Sequence, residues 1–469
     1  DLKIGPKIKA FRRQLGLQAN KLAEELNISP SYLNLIERNQ RPVTVQLLLK
    51  LGQTYDIDLQ RFAVDDEARV AALLKEVFSD PLFERSGLTN QDIQDVASAS
   101  PQAGESVFSL YRSYRALLDN NLNLSEVGYN IESTDKLNLP QIPSDDVQDF
   151  IQVNSNYFPD LEDAAEQLRT NCKLDQEKLY ENLRDYLFDN HGIRLRILPF
   201  EVMEDTLHRY DRHGRRIMVS EVLPYEWRIH QLAFQIVLLD YSEIIDDIVK
   251  GAAMHNADSR RLLRISLANY MAGALVMPYD KFFEAAKSLR YDIELLGRRF
   301  NANYEQVCNR LLNLHRPGTK GIPFFLARID CAGNISRRLS FNSFHFASYG
   351  GVCPRWGIQD AFSRLGETLT EIIEMPNKEK FISVARAIFQ PNGGDKVPPK
   401  KYVMVIGCDI SHANQLVYAD GTSLPNNTQI GINCRLCDRV ECSHRAFPPL
   451  NKKVIIDENH LGLSPYFFT

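Results

Sequence analysis

Apolar residues recur at helical spacing through most of the chain and at strand spacing after about residue 320. Residues 5–17 place Ile8, Phe11 and Leu15 on one helical stripe, which Gly16 ends. Residues 18–26 predict a second helix with Leu22, Ala23 and Leu26 inward. Asn27, Ile28 and Ser29 form a turn. Ser29 suits an N-cap and Pro30 a first helical position, opening a helix over 30–39 that buries Leu33 and Ile36. Further helices are expected over 43–55, 64–78 and 88–118, the last with Val107, Leu110, Tyr111, Tyr114 and Leu117 on one stripe. Residues 119–146 are polar, with two prolines and little periodicity, and predict a linker. Helix returns over 147–190, then short strands over 193–200 and 216–220. Helices follow over 226–242, 258–276 and 280–299. Strand patterns then occupy 324–330, 381–390, 403–408, 416–418 and 453–457, punctuated by Gly-Gly and Pro-Pro pairs.

This alternation divides the chain into an all-α N-terminus (1–62), a helical connector and linker (63–146), a mainly α middle domain (147–318) and an α+β C-terminal domain (319–469). A length of 469 residues fits several domains. Hydrophobic content of 44% and charged content of 25% are ordinary for a globular protein. No run of about 18 apolar residues appears, and the first residues carry no apolar signal core. A cytoplasmic protein without a membrane segment is expected. Its eight cysteines are then thiols or metal ligands rather than disulfides.

The net charge of −5 excludes a general polyanion binder, but the charge is uneven. Residues 1–55 hold nine Lys and Arg against four Asp and Glu, a surplus that suits phosphate contact. The run from Lys21 to Asn39 resembles the lambda-repressor-like helix-turn-helix family, through the helix spacing, Ala23 at the tight crossing and the Leu-x-x-Ile-Glu-Arg ending. The resemblance implies that the second helix enters the major groove of double-stranded DNA, with Ser31, Tyr32 and Asn34 toward base edges. Arg12, Arg13, Arg38, Asn39 and Arg41 would hold phosphates. One departure is Ala19, where the family commonly has Gln. A bundle used for protein contacts is the competing reading, and the basic surplus favours DNA.

In the middle domain, the stretch from His230 to Leu239 resembles the helix of a zinc-peptidase-like domain that usually reads Leu-Ala-His-Glu-x-x-His. Aligned on Leu232 and Ala233, the ligand positions hold Phe234 and Leu238, and the general-base position holds Gln235. A second signature runs from Leu267 to Pro278, with Leu267 at its acidic ligand. Zinc hydrolysis needs imidazole or carboxylate ligands and a group to handle the water proton, and none remains. His230 has Phe234 as its i+4 neighbour and is expected to be packed. No catalytic residue is expected, and a residual peptidase acting on a regulator is the disfavoured alternative.

Cys434, Cys437 and Cys442 lie within nine residues near the C-terminus. A Cys-x-x-Cys turn brings two sulfurs inward, and a third nearby suits zinc or an iron–sulfur cluster. A fourth ligand is needed. Cys408, at the end of a strand, is the first candidate and Cys353 the second; His444 would instead complete a zinc site. The absence of a second Cys-x-x-Cys pair argues against a zinc ribbon. A buried thiol serving as a small apolar residue is the competing reading for Cys408 and Cys353.

The whole organisation resembles the short-chain fatty acyl-CoA transcriptional regulators. The resemblance rests on the segments 29–42, 351–362, 407–413 with 416–418, and 431–449, and covers nearly the whole chain. It implies a non-enzymatic regulator, with a C-terminal sensor domain holding an iron–sulfur cluster of the 4Fe–4S type and binding an acyl-CoA effector. A homodimer is also expected. Arg337, Arg338, Arg355 and Trp356 are candidates for the acyl-CoA, although no Gly-rich phosphate loop marks a site. A zinc-stabilised regulator controlled by protein partners is the alternative.

Overall fold

The structure is a computed structural model. It describes residues 143–204, 206–254, 256–347, 351–390, 399–420, 427–440 and 442–449 without a break, most of 19–37, 66–83 and 88–115, and scattered positions elsewhere. The chain forms two compact units, Asp1–Ala68 and Arg69–Thr469. Multiple domains with a helical N-terminus, a mainly helical middle and a C-terminal region of helix and sheet match the class expected from the sequence.

In the first unit, helices α1 (Ala19–Glu25) and α2 (Pro30–Glu37) meet through Leu22, Ala23, Leu33 and Ile36, all fully buried. Ile8, Leu26, Leu47 and Leu51 complete the core. The Ser29 hydroxyl accepts the Tyr32 amide at 3.1 Å, the cap expected for this helix. Phe11 and Leu15 lie outside the described residues.

Helix α3 (Asp66–Phe78) begins three residues before the second unit, and α4 (Asn90–Ala99) is started by a capping box between Thr89 and Asp92. The expected 88–118 helix is interrupted at Ser100, and its described residues continue helical from 101 to 115. Leu110 is 69% exposed, while Phe108 and Tyr111 are buried against Val77, so the buried stripe runs through Phe108. Helix α5 (Pro143–Val153) begins inside the expected linker, whose residues 119–142 lie outside the described ones. The expected 147–190 helix is three: α5, α6 (Pro159–Asn171) and α7 (Leu179–His191).

Strands β1 (Arg194–Leu198), β2 (His208–Asp211) and β3 (Arg216–Ser220) form a small sheet in the order β1-β3-β2. Helices α8 (Tyr225–Asp240), α9 (Ser242–Gly251), α10 (Ala257–Val276), α11 (Tyr279–Ser288), α12 (Ile293–Phe300) and α13 (Tyr304–Leu311) follow. The sequence pattern missed β2, α9 and α13. It also joined α11 to α12, which part at Arg290 and Tyr291, both at positive φ.

The C-terminal sheet has six strands: β4 (Phe325–Ile329), β5 (Ile335–Ser340), β6 (Thr368–Glu374), β7 (Lys380–Gln390), β8 (Lys400–Asp409) and β9 (Thr428–Gln429), in the order β5-β4-β8-β7-β6-β9. The pattern missed β5, β6 and β9. Residues 416–418 are expected as strand; a 3-10 turn occupies Val417–Ala419 instead. Both sheet faces are buried, and strand alternation sorts the side chains between two cores. Leu326, Leu339, Ile382, Val384, Met404, Ile406 and Cys408 join the helical core of the middle region. Phe325, Ala327, Phe381, Ala385, Val403 and Val405 join a separate core with Phe344, Cys353, Trp356 and Ile430. Gly407 is forced by this second core: a Cβ there would lie 2.3 Å from the Phe325 ring.

Candidate functional site

On α2, Ser31 and Asn34 are exposed and Tyr32 is half-buried against the core. Leu35 is 38% exposed on the same outer side. Arg41 is exposed. Arg12 does not fit the expected phosphate role. Its Nε and Nη2 donate to both oxygens of Glu37 at 2.7 and 3.0 Å, and Glu37 is 5% exposed. The pair holds the guanidinium above its usual pKa, chiefly through that hydrogen bond. Arg12 therefore ties its part of the chain to α2. Arg13, Arg38 and Asn39 lie outside the described residues.

The middle domain keeps a peptidase-like helix pair with apolar groups where ligands would stand. Leu267 and Gln235 are buried, and Phe234 and Leu238 pack against the same core. His230 is buried beside Trp227, its Nδ1 lacks a partner, and burial pushes its pKa down to about 4. It is a neutral core residue. What holds this domain is a polar group the sequence did not signal. Arg310, 1% exposed, donates to both oxygens of Glu162 at 2.6 and 2.8 Å and to the Met277 carbonyl at 2.8 Å. The Tyr270 hydroxyl donates to Glu162 at 2.7 Å. One carboxylate thereby ties α6, α10 and α13 together.

The cysteine segment has little regular structure and is organised by arginines. Arg445, 3% exposed, donates to the carbonyls of Cys434 at 2.8 Å, Cys437 at 3.0 Å and Arg439 at 2.6 Å, and lies over the Phe468 ring. Arg439 fastens the loop to the sheet edge through the carbonyls of Ile430 and Glu374. Asn433 caps the Cys-x-x-Cys turn by accepting the Leu436 amide at 2.9 Å. Backbone amides also reach sulfur: Ala446 N–H donates to Cys434 Sγ at 3.5 Å.

Cys353 stands at the same place. Burial raises its thiol pKa, the amides of Gly431 and Arg355 oppose this by donating to the sulfur, and the Cys434 and Cys437 sulfurs lie close enough to raise it further. Gly431 sits between them: a Cβ there would lie 2.6 Å from Cys437 Sγ. Cys408 is elsewhere. It is fully buried on the opposite face of β8, in the helical core, with its thiol pushed up to about 12 by burial. The sheet separates Cys408 from the loop, whereas Cys353 lies on the loop's side. His444 is exposed and contacts Ser443. Cys442 is half-buried beside Arg445, whose amide donates to its carbonyl.

Among the described residues, no three His, Cys, Asp or Glu side chains are gathered tightly enough for one metal ion. A multi-iron cluster gives each thiolate its own iron and so accepts sulfurs more widely spaced than four ligands around one ion. Thiols with an amide N–H on sulfur can hold an iron–sulfur cluster or zinc.

The four effector candidates are not brought together. Trp356 is 3% exposed and its Nε1 donates to Ser383 at 3.2 Å, so it is a core residue without a free ring face. Arg337 and Arg338 alternate along β5, and Arg338 donates to the Ala347 carbonyl. Arg355 is half-buried beside Cys353 and Trp356 in the chain. No helix among the described residues is long and apolar enough to cross a membrane.

A helix-turn-helix joined to a ligand-stripped peptidase-like domain and a cysteine-bearing sheet domain defines a transcription regulator rather than an enzyme. The chain belongs to the short-chain fatty acyl-CoA regulator family. Residues 8–62 match the helix-turn-helix family, 188–312 the IrrE N-terminal-like domain, and 313–466 the family described as short-chain fatty acyl coenzyme A regulator, C-terminal. The chain is 36% identical to the HTH-type transcriptional regulator PrpR of Mycobacterium tuberculosis, covering 99% of this chain and 96% of that protein. It is 33% identical to RamB of the same species and to the propionyl-CoA carboxylase regulator of Cereibacter sphaeroides, covering 99% of this chain and 98% of each. A solved Mycobacterium tuberculosis transcriptional regulator superposes with a TM-score of 0.67 at 37% identity, over 70% of this chain and all of that one.

Proposed function

We propose that this regulator binds double-stranded DNA in the cytoplasm as a homodimer, and that its DNA affinity is set by an iron–sulfur cluster on Cys353, Cys434, Cys437 and Cys442, by a short-chain acyl-CoA, or by both. The carrying observation is the convergence of Cys353 with Cys434 and Cys437 around Gly431 on one side of the sheet. Names among the relatives, such as propionyl-CoA carboxylase regulator, support short-chain acyl-CoA metabolism as the controlled process. When bound, the cluster would supply a redox- and iron-sensitive centre. The chain's own residues hold its ligands: Arg445 fixes the loop carbonyls, and backbone amides donate to the sulfurs, which tunes a cluster's potential.

The test is visible absorption and iron content of protein purified without oxygen. A coloured, iron-bearing protein is expected, with colour lost in Cys353→Ser and kept in Cys408→Ser. Zinc is colourless because its d shell is full, so a colourless, zinc-loaded protein would replace this reading with the structural-zinc alternative.

A further inference from the structure

The small sheet of the middle domain has one covered face and one open face. Strand alternation sends Leu195, Tyr210, Ile217 and Val219 onto the helical core. The opposite face carries arginines. Register sets Arg194 of β1 opposite Arg216 of β3, and Arg216 opposite Asp211 of β2. Two positions on, Met218 of β3 stands between Arg196 of β1 and Arg209 of β2. The β2–β3 turn adds Arg212 and Arg215, and all six arginines are exposed. Arg215 has a positive φ, and its guanidinium lies beside Gly192, just before β1.

These three strands and their turn hold six Arg, no Lys and a single acid, Asp211. Six against one leaves +5, on a chain whose net charge is −5. Asp211 is committed within the turn, where its carboxylate accepts the Gly214 amide at 2.9 Å and Arg216 Nε at 2.8 Å. Among the described residues, none of the other five arginines forms an ion pair or donates a side-chain hydrogen bond. Glu201, Glu204 and Glu221 follow Leu198 and Ser220, at the end of the sheet away from the turn. Like charges directly opposite on a sheet are destabilising, so Arg194 beside Arg216 does not serve the fold.

We propose that this face binds the phosphates of duplex DNA, as a contact additional to the helix-turn-helix. Side chains two apart on a strand repeat at about 6.6 Å, so the face offers a repeated set of guanidinium forks. Each fork matches the oxygens of a phosphate bidentately. A duplex presents phosphates as a continuous row, and contacts to them position a protein without reading sequence. The helix-turn-helix already brings DNA to this chain, so a second contact gains from high local concentration. An acidic protein would have to be recruited by the face alone. The proposal rests on DNA as the partner and is independent of the cysteine site and of any effector.

Salt dependence of binding by the full-length protein tests it, on a mixed-sequence duplex of about 40 base pairs, some four helical turns. The variant Arg194→Gln/Arg196→Gln/Arg209→Gln should lower the slope of log affinity against log salt by about two to three units. Removing three exposed charges elsewhere, in Lys281→Gln/Arg298→Gln/Arg299→Gln, should leave the slope unchanged. Equal slopes in wild type and the sheet variant, or equal losses in both variants, overturn the proposal. Arg41→Ala in the same titration reports the helix-turn-helix separately. A loss there with none in the sheet variant leaves the DNA reader standing and removes only this face. The wild type gives a second readout that no substitution can disturb: the duplex should protect Arg194, Arg196 and Arg209 from phenylglyoxal, as located by mass spectrometry. Stronger protection by polyglutamate than by duplex at equal charge overturns the DNA assignment in favour of an acidic polypeptide. Absence of protection by either overturns the site.

Discussion

Gly431 has no room for a side chain. A methyl group there would lie 2.6 Å from Cys437 Sγ and 2.8 Å from its Cβ, and the Gly431 amide is directed at Cys353. Gly431→Ala should therefore displace a sulfur without touching a strand. The expected outcome is loss of most visible absorbance with far-ultraviolet circular dichroism unchanged; retained colour would show that the loop adapts. The same residues mark what the sequence could reveal. Three cysteines in nine residues are a plain signal. Strand alternation also shows that Met404, Ile406 and Cys408 share a face. It cannot show which face meets the loop, because both faces of β8 are covered by apolar layers. Cys353 carried no local mark beyond its proline neighbour, and its role depends on Gly431 and the loop some 80 positions later. Trp356 misled for a similar reason: an indole beside an arginine reads as a ligand platform until Ser383 is seen to take its N–H.

At the level of elements, the recognition helix was legible because its signals are local: Ser29 as cap, Pro30 as first residue, Leu33 and Ile36 inward. Arg12 was not, since its partner Glu37 lies 25 positions away. Arg12→Ala should destabilise the N-terminal unit by about 1–3 kcal/mol, through a buried carboxylate left unpaired. The salt dependence of DNA binding should stay as it is. Arg41→Ala should instead lower the salt slope by about one unit, and denaturant melts beside binding titrations at several salt concentrations separate the two. Two errors in the sequence reading share one cause. The α11–α12 break and the 3-10 turn at 417–419 hold each other: Val417 N–H donates to the Arg290 carbonyl, Arg290 Nη2 to the Leu416 carbonyl, and Ile293 N–H to the Tyr418 hydroxyl. A contact between segments over 100 positions apart overrode both local patterns. The peptidase-like helices depend similarly on Glu162. Arg310→Met should leave that carboxylate buried without its cation and cost about 3–5 kcal/mol, read by urea unfolding. A loss below about 1 kcal/mol would show that water or another donor reaches Glu162.

For the molecule as a whole, the question is how a state of the cysteine loop could reach the DNA reader. Asp438 follows Cys437 directly, and its carboxylate pairs with Lys75 of α3, the helix that follows the helix-turn-helix in the chain. The same helix is braced from behind, since Val77 packs on Phe108 and Tyr111, and the Tyr111 hydroxyl donates to Asp80 at 2.8 Å. Any shift of Cys437 on gaining or losing a ligand therefore pulls on the braced C-terminal end of α3. Lys75 and Asp438 are each 28% exposed, and such a pair contributes about 0–1 kcal/mol. Lys75→Ala should thus leave global stability almost unchanged. It should weaken coupling instead, with 1 kcal/mol corresponding to about a fivefold change in affinity ratio. The measurement is operator affinity by fluorescence anisotropy, for coloured protein and for the same protein after iron removal. In Lys75→Ala the ratio of those two affinities should move toward one by up to about fivefold, and the exchange Lys75→Asp with Asp438→Lys should restore it. A ratio identical to wild type in Lys75→Ala and in Asp438→Asn would mean that the loop communicates by another path.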